Sequence, residues 1–105
     1  MSKTIYNKLV RDRIPEIIKS NGQTCICEVL QDGDYLRKLD EKLNEECGEY
    51  QESKSIDELA DILEVVYAIA SARGYSVKEL EQTRSGKAAR RGGFQKKLLL
   101  KEVDG

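Results

Sequence analysis

Apolar residues return at helical spacing through the centre of the chain. Leu36, Leu39, Leu43, Cys47 and Tyr50 predict an amphipathic helix over about residues 35–52. Ile56, Leu59, Ile62, Leu63, Val66, Ile69 and Ala70 predict a second helix with a wide apolar face, ended by Gly74. Ser55-x-x-Glu58 and Ser76-x-x-Glu79 have the form of capping boxes, each opening a helix. The helix after Ser76 is expected to run to about Arg90, where Gly92-Gly93 breaks it. Its apolar face is thin (Val77, Leu80, Ala88), so it should depend on packing against neighbours or a partner chain.

The first third of the chain is less periodic. Pro15 suits the first turn of a helix and Asn21-Gly22 a stop, predicting a short helix over residues 15–20 behind an irregular lead-in. Residues 24–30 (TCICEVL) are rich in β-formers and read as a short strand. The tail FQKKLLLKEV either pairs with that strand or closes the chain in extended form without pairing. Asp32-Gly33-Asp34 reads as a turn whose second aspartate caps the next helix. The expected fold is therefore mainly α, an antiparallel helical bundle in a single domain over residues 1–105, with a minor two-stranded β element.

Composition narrows this further. A chain of 105 residues makes one domain with little core to spare, and 35% charged against 6% aromatic residues suits a soluble helical protein. No apolar run is long enough to span a bilayer and no secretory leader opens the chain, which gives a cytoplasmic expectation. Three cysteines, Cys25, Cys27 and Cys47, with no histidine, fit reduced packing residues better than a zinc site. Without histidine there is no Ser-His or Cys-His nucleophile, and acid–base work falls to carboxylates, lysine, tyrosine or metal-bound water. The net charge of −1 hides a segregation: residues 31–64 hold 12 acids and 4 bases, the remainder 7 acids and 14 bases.

The acids are placed as well as numerous. Glu46 and Glu49 fall roughly 60° and 120° to one side of their helix's apolar centre, and Glu58 and Asp61 roughly 110° and 170° to the same rotational side of theirs. A short turn makes the two helices antiparallel neighbours, so these flanks meet on one edge. Counted outward from the turn, Glu49 stands against Glu58 and Glu46 against Asp61. Four carboxylates converging there suit a hard divalent cation such as Mg²⁺, whose remaining oxygen ligands commonly come from substrate phosphates. A blander alternative stands beside this one. Glu58 would serve only the cap at Ser55, Glu49 would pair with Lys42 or Lys54, and Glu45, opposite the apolar face, would be solvated.

Glu45-Glu46-x-x-Glu49 followed by Glu58-x-x-Asp61 resembles the metal-binding signature of the MazG-like all-α nucleoside triphosphate pyrophosphohydrolases. That superfamily includes phosphoribosyl-ATP pyrophosphohydrolase and dimeric dUTPases. Tyr6-Asn7-Lys8-Leu9-Val10-Arg11-Asp12 is similar to the opening of small stand-alone members, and Lys87-x-x-Arg90-Arg91-Gly92-Gly93-Phe94 to their basic closing motif. The resemblance implies Mg²⁺, or Mn²⁺, on Glu46, Glu49, Glu58 and Asp61. It implies catalytic roles for Glu45, Glu46 and Glu49, with Glu45 orienting or deprotonating water, and phosphate contacts from Lys8, Arg11, Lys87, Arg90 and Arg91.

The implied reaction cleaves a nucleoside triphosphate between its α and β phosphates, giving the monophosphate and pyrophosphate in nucleotide-pool house-cleaning. The implied assembly is a homodimer or homotetramer. Two alternatives remain: a phosphoribosyl-ATP pyrophosphohydrolase of histidine biosynthesis, and a non-catalytic helical oligomerisation module. Nucleic acid is an unfavourable partner, because the acidic hairpin opposes it and Phe94 alone accompanies the closing basic run. A membrane partner is not expected either.

Overall fold

Two of the expected capping signals fix where the long helices begin. In the computed structural model, which describes residues 2–105 and leaves Met1 outside, Ser55 accepts a hydrogen bond from Glu58 N–H and Ser76 one from Glu79 N–H. They open α3 (Ile56–Ala72) and α4 (Val77–Arg91), preceded in the chain by α1 (Ile14–Ser20) and α2 (Asp32–Ser53). The fold is mainly α.

Helix ends follow the backbone chemistry of the sequence. At the end of α3, Gly74 N–H donates to Ser71 O and Tyr75 N–H to Ala70 O, a Schellman motif that needs the left-handed φ of +91° at Gly74. The end of α1 repeats it: Gly22, at φ +80°, donates to Lys19 O and Gln23 to Ile18 O. Pro15 sits in the first turn of α1, where a missing N–H is harmless. Between α2 and α3 only Lys54 and Ser55 intervene, and Lys54 takes a left-handed conformation at φ +56°.

That short link folds α3 back along α2. Arg73 near the end of α3 reaches Asp40 near the start of α2 at 3.8 Å, as antiparallel pairing requires. Leu39 of α2 and Val65 and Ala70 of α3 are the buried apolar residues, a small core for a chain of this length. α4 packs on α3, whereas α1 packs on none of the other helices. The radius of gyration is 18.4 Å, against about 13 Å for a globular domain of 100 residues. Ile56, Leu59 and Leu63 leave one side of α3 exposed, and Phe94, Leu98 and Leu99 are exposed in the tail.

Two expectations need correction. No strand forms among the described residues: 24–30 is irregular, with Ile26 and Val29 fully exposed, and the tail does not pair with it. β-branched residues favour a pleated surface only when a neighbouring strand or face covers them, and neither is present here. Asp34 is not a cap, because α2 begins at Asp32; Asp34 lies in its first turn and pairs with Arg37, where acids also suit the helix dipole. Among the described residues, no helix is long and apolar enough to cross a membrane.

Candidate metal and phosphate site

The edge shared by α2 and α3 gathers carboxylates from both helices. Glu46, Glu58 and Asp61 each offer an oxygen, and these atoms lie within 4.8 Å of one another. Glu46 is the most shielded of the three, at 6% exposure, because α3 lies over its face of α2. One of its oxygens, Oε1, is 3.3 Å from the Lys42 ammonium. The other, Oε2, is buried with no hydrogen-bond partner among the described residues. A buried polar atom left unpaired costs about 1–3 kcal/mol, more when charged, so this arrangement calls for a cation or donor at that oxygen.

Burial pushes the Glu46 carboxyl above its ordinary range, Lys42 opposes that, and neighbouring Glu49 adds to it. Glu49 itself is exposed and lies outside the group of three. It pairs with neither Lys42 nor Lys54: Lys42 turns to Glu45 and Glu46, and Lys54 to Gln51. Glu58 does not close a reciprocal capping box through its side chain. Its carboxylate accepts from Ser53 Oγ at 3.4 Å, while the Ser55 N–H donates to the same hydroxyl. The side chain thus remains with Glu46 and Asp61.

Glu45 departs from its expected solvated position. It accepts from Lys8 Nζ at 2.8 Å and from Lys42 Nζ at 3.1 Å and is half-buried. The reason is the N-terminal segment, which covers a face of α2 that the helical hairpin alone leaves open. The Lys8 hydrogen bond holds the Glu45 carboxyl below its ordinary range and raises the Lys8 ammonium correspondingly. Arg11 Nη2 lies 2.7 Å from Asp61 Oδ1. A shallow cleft of about 280 Å³ between this segment and the helices is walled by Lys8, Val10, Arg11 and Ile14 on one side and by Lys42, Glu46 and Asp61 on the other.

Lys8 and Arg11 therefore stand where the acidic group is, whereas Lys87, Arg90 and Arg91 do not join it. All three are exposed on α4 and make no ion pair with an acid among the described residues. Lys42, which the blander alternative offered as a partner for Glu49, instead fixes both Glu45 and Glu46. Its i, i+3 and i, i+4 spacing to those acids was the available signal.

Set beside known proteins, a 50-residue stretch is 44% identical to an uncharacterized protein of Mycolicibacterium smegmatis. The match takes in 48% of the chain and 51% of that protein, so the chain spans about half the length of the relative it matches. No family model matches the chain, and no solved structure matches it.

Proposed function

We propose that the protein is a Mg²⁺-dependent nucleoside triphosphate pyrophosphohydrolase of the MazG-like kind. The observation that carries this reading is the Glu46 carboxylate, whose Oε2 is buried without a partner among the described residues and one of whose oxygens lies within 4.8 Å of an oxygen of Glu58 and of Asp61 on the neighbouring helix. All-oxygen donors on a water-accessible edge suit Mg²⁺ or Mn²⁺ rather than a soft metal. Glu46, Glu58 and Asp61 would hold the ion, with Glu49 adjoining them on α2.

When bound, the ion supplies charge neutralisation for phosphate oxygens and a more acidic water. The chain's own residues do the rest in this reading. Lys8 and Arg11 bind and orient the phosphates from the cleft side. Glu45, held low by Lys8, is a poor proton acceptor, and its part is to position Lys8 and Lys42. Glu49, exposed and without a cationic partner among the described residues, is the carboxylate left to take the proton of the attacking water. Attack then breaks the bridging bond between the α and β phosphates, and pyrophosphate leaves with the bridging oxygen.

Self-association, as a homodimer or homotetramer, belongs to the same reading. The exposed side of α3, the exposed tail and the extended shape support it, and a second copy would bring further basic residues within reach of the cleft.

The test is a pyrophosphate-release screen over standard, deoxy and oxidised triphosphates and phosphoribosyl-ATP, with and without Mg²⁺. Mg²⁺-dependent release that is lost in Glu49→Gln and Asp61→Asn, with helix content unchanged, supports the reading. Preference for phosphoribosyl-ATP would move the assignment to histidine biosynthesis. No release from any substrate, with no Mg²⁺-induced thermal shift, would make the chain a helical interaction module.

A further inference from the structure

The N-terminal segment is attached to the helices in an unusual way. Residues 2–13 carry neither helix nor strand, and α1 behind them packs on no other helix. Leu9 is half-buried, Val10 is 39% exposed, and the side chains on either side of them are exposed. Among the described residues, the long-range hydrogen bonds of the segment are three, all made by cationic side chains: Lys8 to Glu45, Arg11 to Asp61, and Lys38 to the Asn7 carbonyl. Its polar attachment is by charge alone, with half-buried Leu9 and, just behind it, Ile14 as the apolar support.

Two of those pins land on the acidic site. Arg11 sits on Asp61, one of whose oxygens lies within 4.8 Å of an oxygen of the half-paired Glu46 carboxylate, and Lys8 sits on Glu45, the residue beside Glu46. A guanidinium and a divalent cation on one carboxylate repel each other at contact distance. Both pairs are partly solvated, and such pairs are individually weak. The contact therefore competes with a cation without being able to shut it out.

We propose that residues 6–13 form an electrostatic latch on the site: cation entry displaces Arg11 from Asp61, and the freed Arg11 and Lys8 become available to an anionic polyphosphate. This rests on the reading of the acidic group as a cation site and adds a regulatory coupling to it. By linkage, a cation and a polyphosphate each raise the affinity for the other, because each removes the other's competitor. No covalent chemistry is involved; one set of ion pairs is exchanged for another.

The experiment is Mn²⁺ binding to the full chain, followed by calorimetry or by the electron paramagnetic resonance signal of free Mn²⁺, in wild type, Arg11→Gln and Arg13→Gln. Arg13 is the control, since it pairs with Glu16 and carries the same charge on the same segment. Arg11→Gln is expected to bind Mn²⁺ about two- to fivefold more tightly, with Arg13→Gln close to wild type. In wild type, Mn²⁺ is also expected to accelerate tryptic cleavage after Arg11.

Equal effects of the two variants would reduce the latch to general charge, and unchanged or weaker binding in Arg11→Gln would overturn it. Protection of the Arg11 bond by Mn²⁺ would overturn it as well. Failure of Mn²⁺ to bind any of the three proteins would instead remove the cation site itself, and the latch with it.

Discussion

Lys42 and Glu46, one helical turn apart on α2, are both shielded from water, and the ammonium meets one carboxylate oxygen at 3.3 Å while the other oxygen meets none among the described residues. One cation thus serves only half of a buried acid. Glu45 shares the same ammonium, so the lysine is already divided.

Glu46→Gln is therefore expected to separate stability from binding. Relieving an underpaired buried charge should leave the thermal midpoint without metal at or above that of wild type. The rise of that midpoint on adding Mg²⁺ or Mn²⁺ should be lost. Differential scanning calorimetry with and without the ion checks both, and a retained metal-induced shift would contradict the site.

Acid should affect Glu45 and Glu46 in opposite senses. The folded state lowers the Glu45 pKa below its ordinary value of 4.5, so the stability this contributes is present above pH 4.5 and lost as pH falls through the folded value. Glu46 is raised above 4.5, so its burial is unfavourable above its folded pKa and relieved as pH falls toward 4.5. In metal-free buffer, urea midpoints across this range should show Glu45→Gln blunting the loss below pH 4.5 and Glu46→Gln blunting the gain above it.

Gly48 lies within α2, and a Cβ placed there would meet nothing within 4 Å. The glycine does not serve close helix approach inside the chain. Gly48→Ala should add about 1 kcal/mol from helix propensity, read as a higher urea midpoint. A loss instead would mean that this face is covered by a second copy.

The two serine caps should differ in consequence. Ser55→Ala and Ser76→Ala each remove an acceptor for an N–H at a helix start, costing about 1 kcal/mol. Ser55→Ala should also weaken divalent binding, because it loosens the turn that carries Glu58. Ser76→Ala should not, and Mn²⁺ titration of the two variants distinguishes them.

Exposed apolar surface on α3 and in the tail should make the molecule concentration-dependent in solution. Sedimentation velocity is expected to show a dimer or tetramer, and Leu59→Glu with Leu63→Glu should shift it toward monomer. Persistence of the same species in that double variant would place the contact elsewhere.

Most local signals were readable in the sequence, the pairing of Lys42 with Glu45 and Glu46 being the local one that was missed. Periodicity gave the α2 and α3 faces, and Ser55, Ser76, Gly22 and Gly74 marked boundaries because each acts within four residues of itself. Helical phase and a short link made the convergence of Glu46 with Glu58 and Asp61 legible, but the same phase placed Glu49 with them, and Glu49 lies outside the group. The pairing of Glu45 was not legible, since its partner Lys8 arrives from 37 positions away on a segment with no periodicity. Residues 24–30 failed for a related reason: strand propensity says nothing about whether a neighbouring strand exists.

The link of Lys54 and Ser55 has one further consequence. With so few residues to absorb a change, an insertion inside either helix near the link is passed on as rotation, roughly 100° for each added residue. Glu58 and Asp61 would then swing away from Glu46 even though every side chain was retained. The arrangement should tolerate substitution at Lys54 far better than any change in the spacing between Glu46 and Asp61, making that interval the quantity to compare first in any homologous chain.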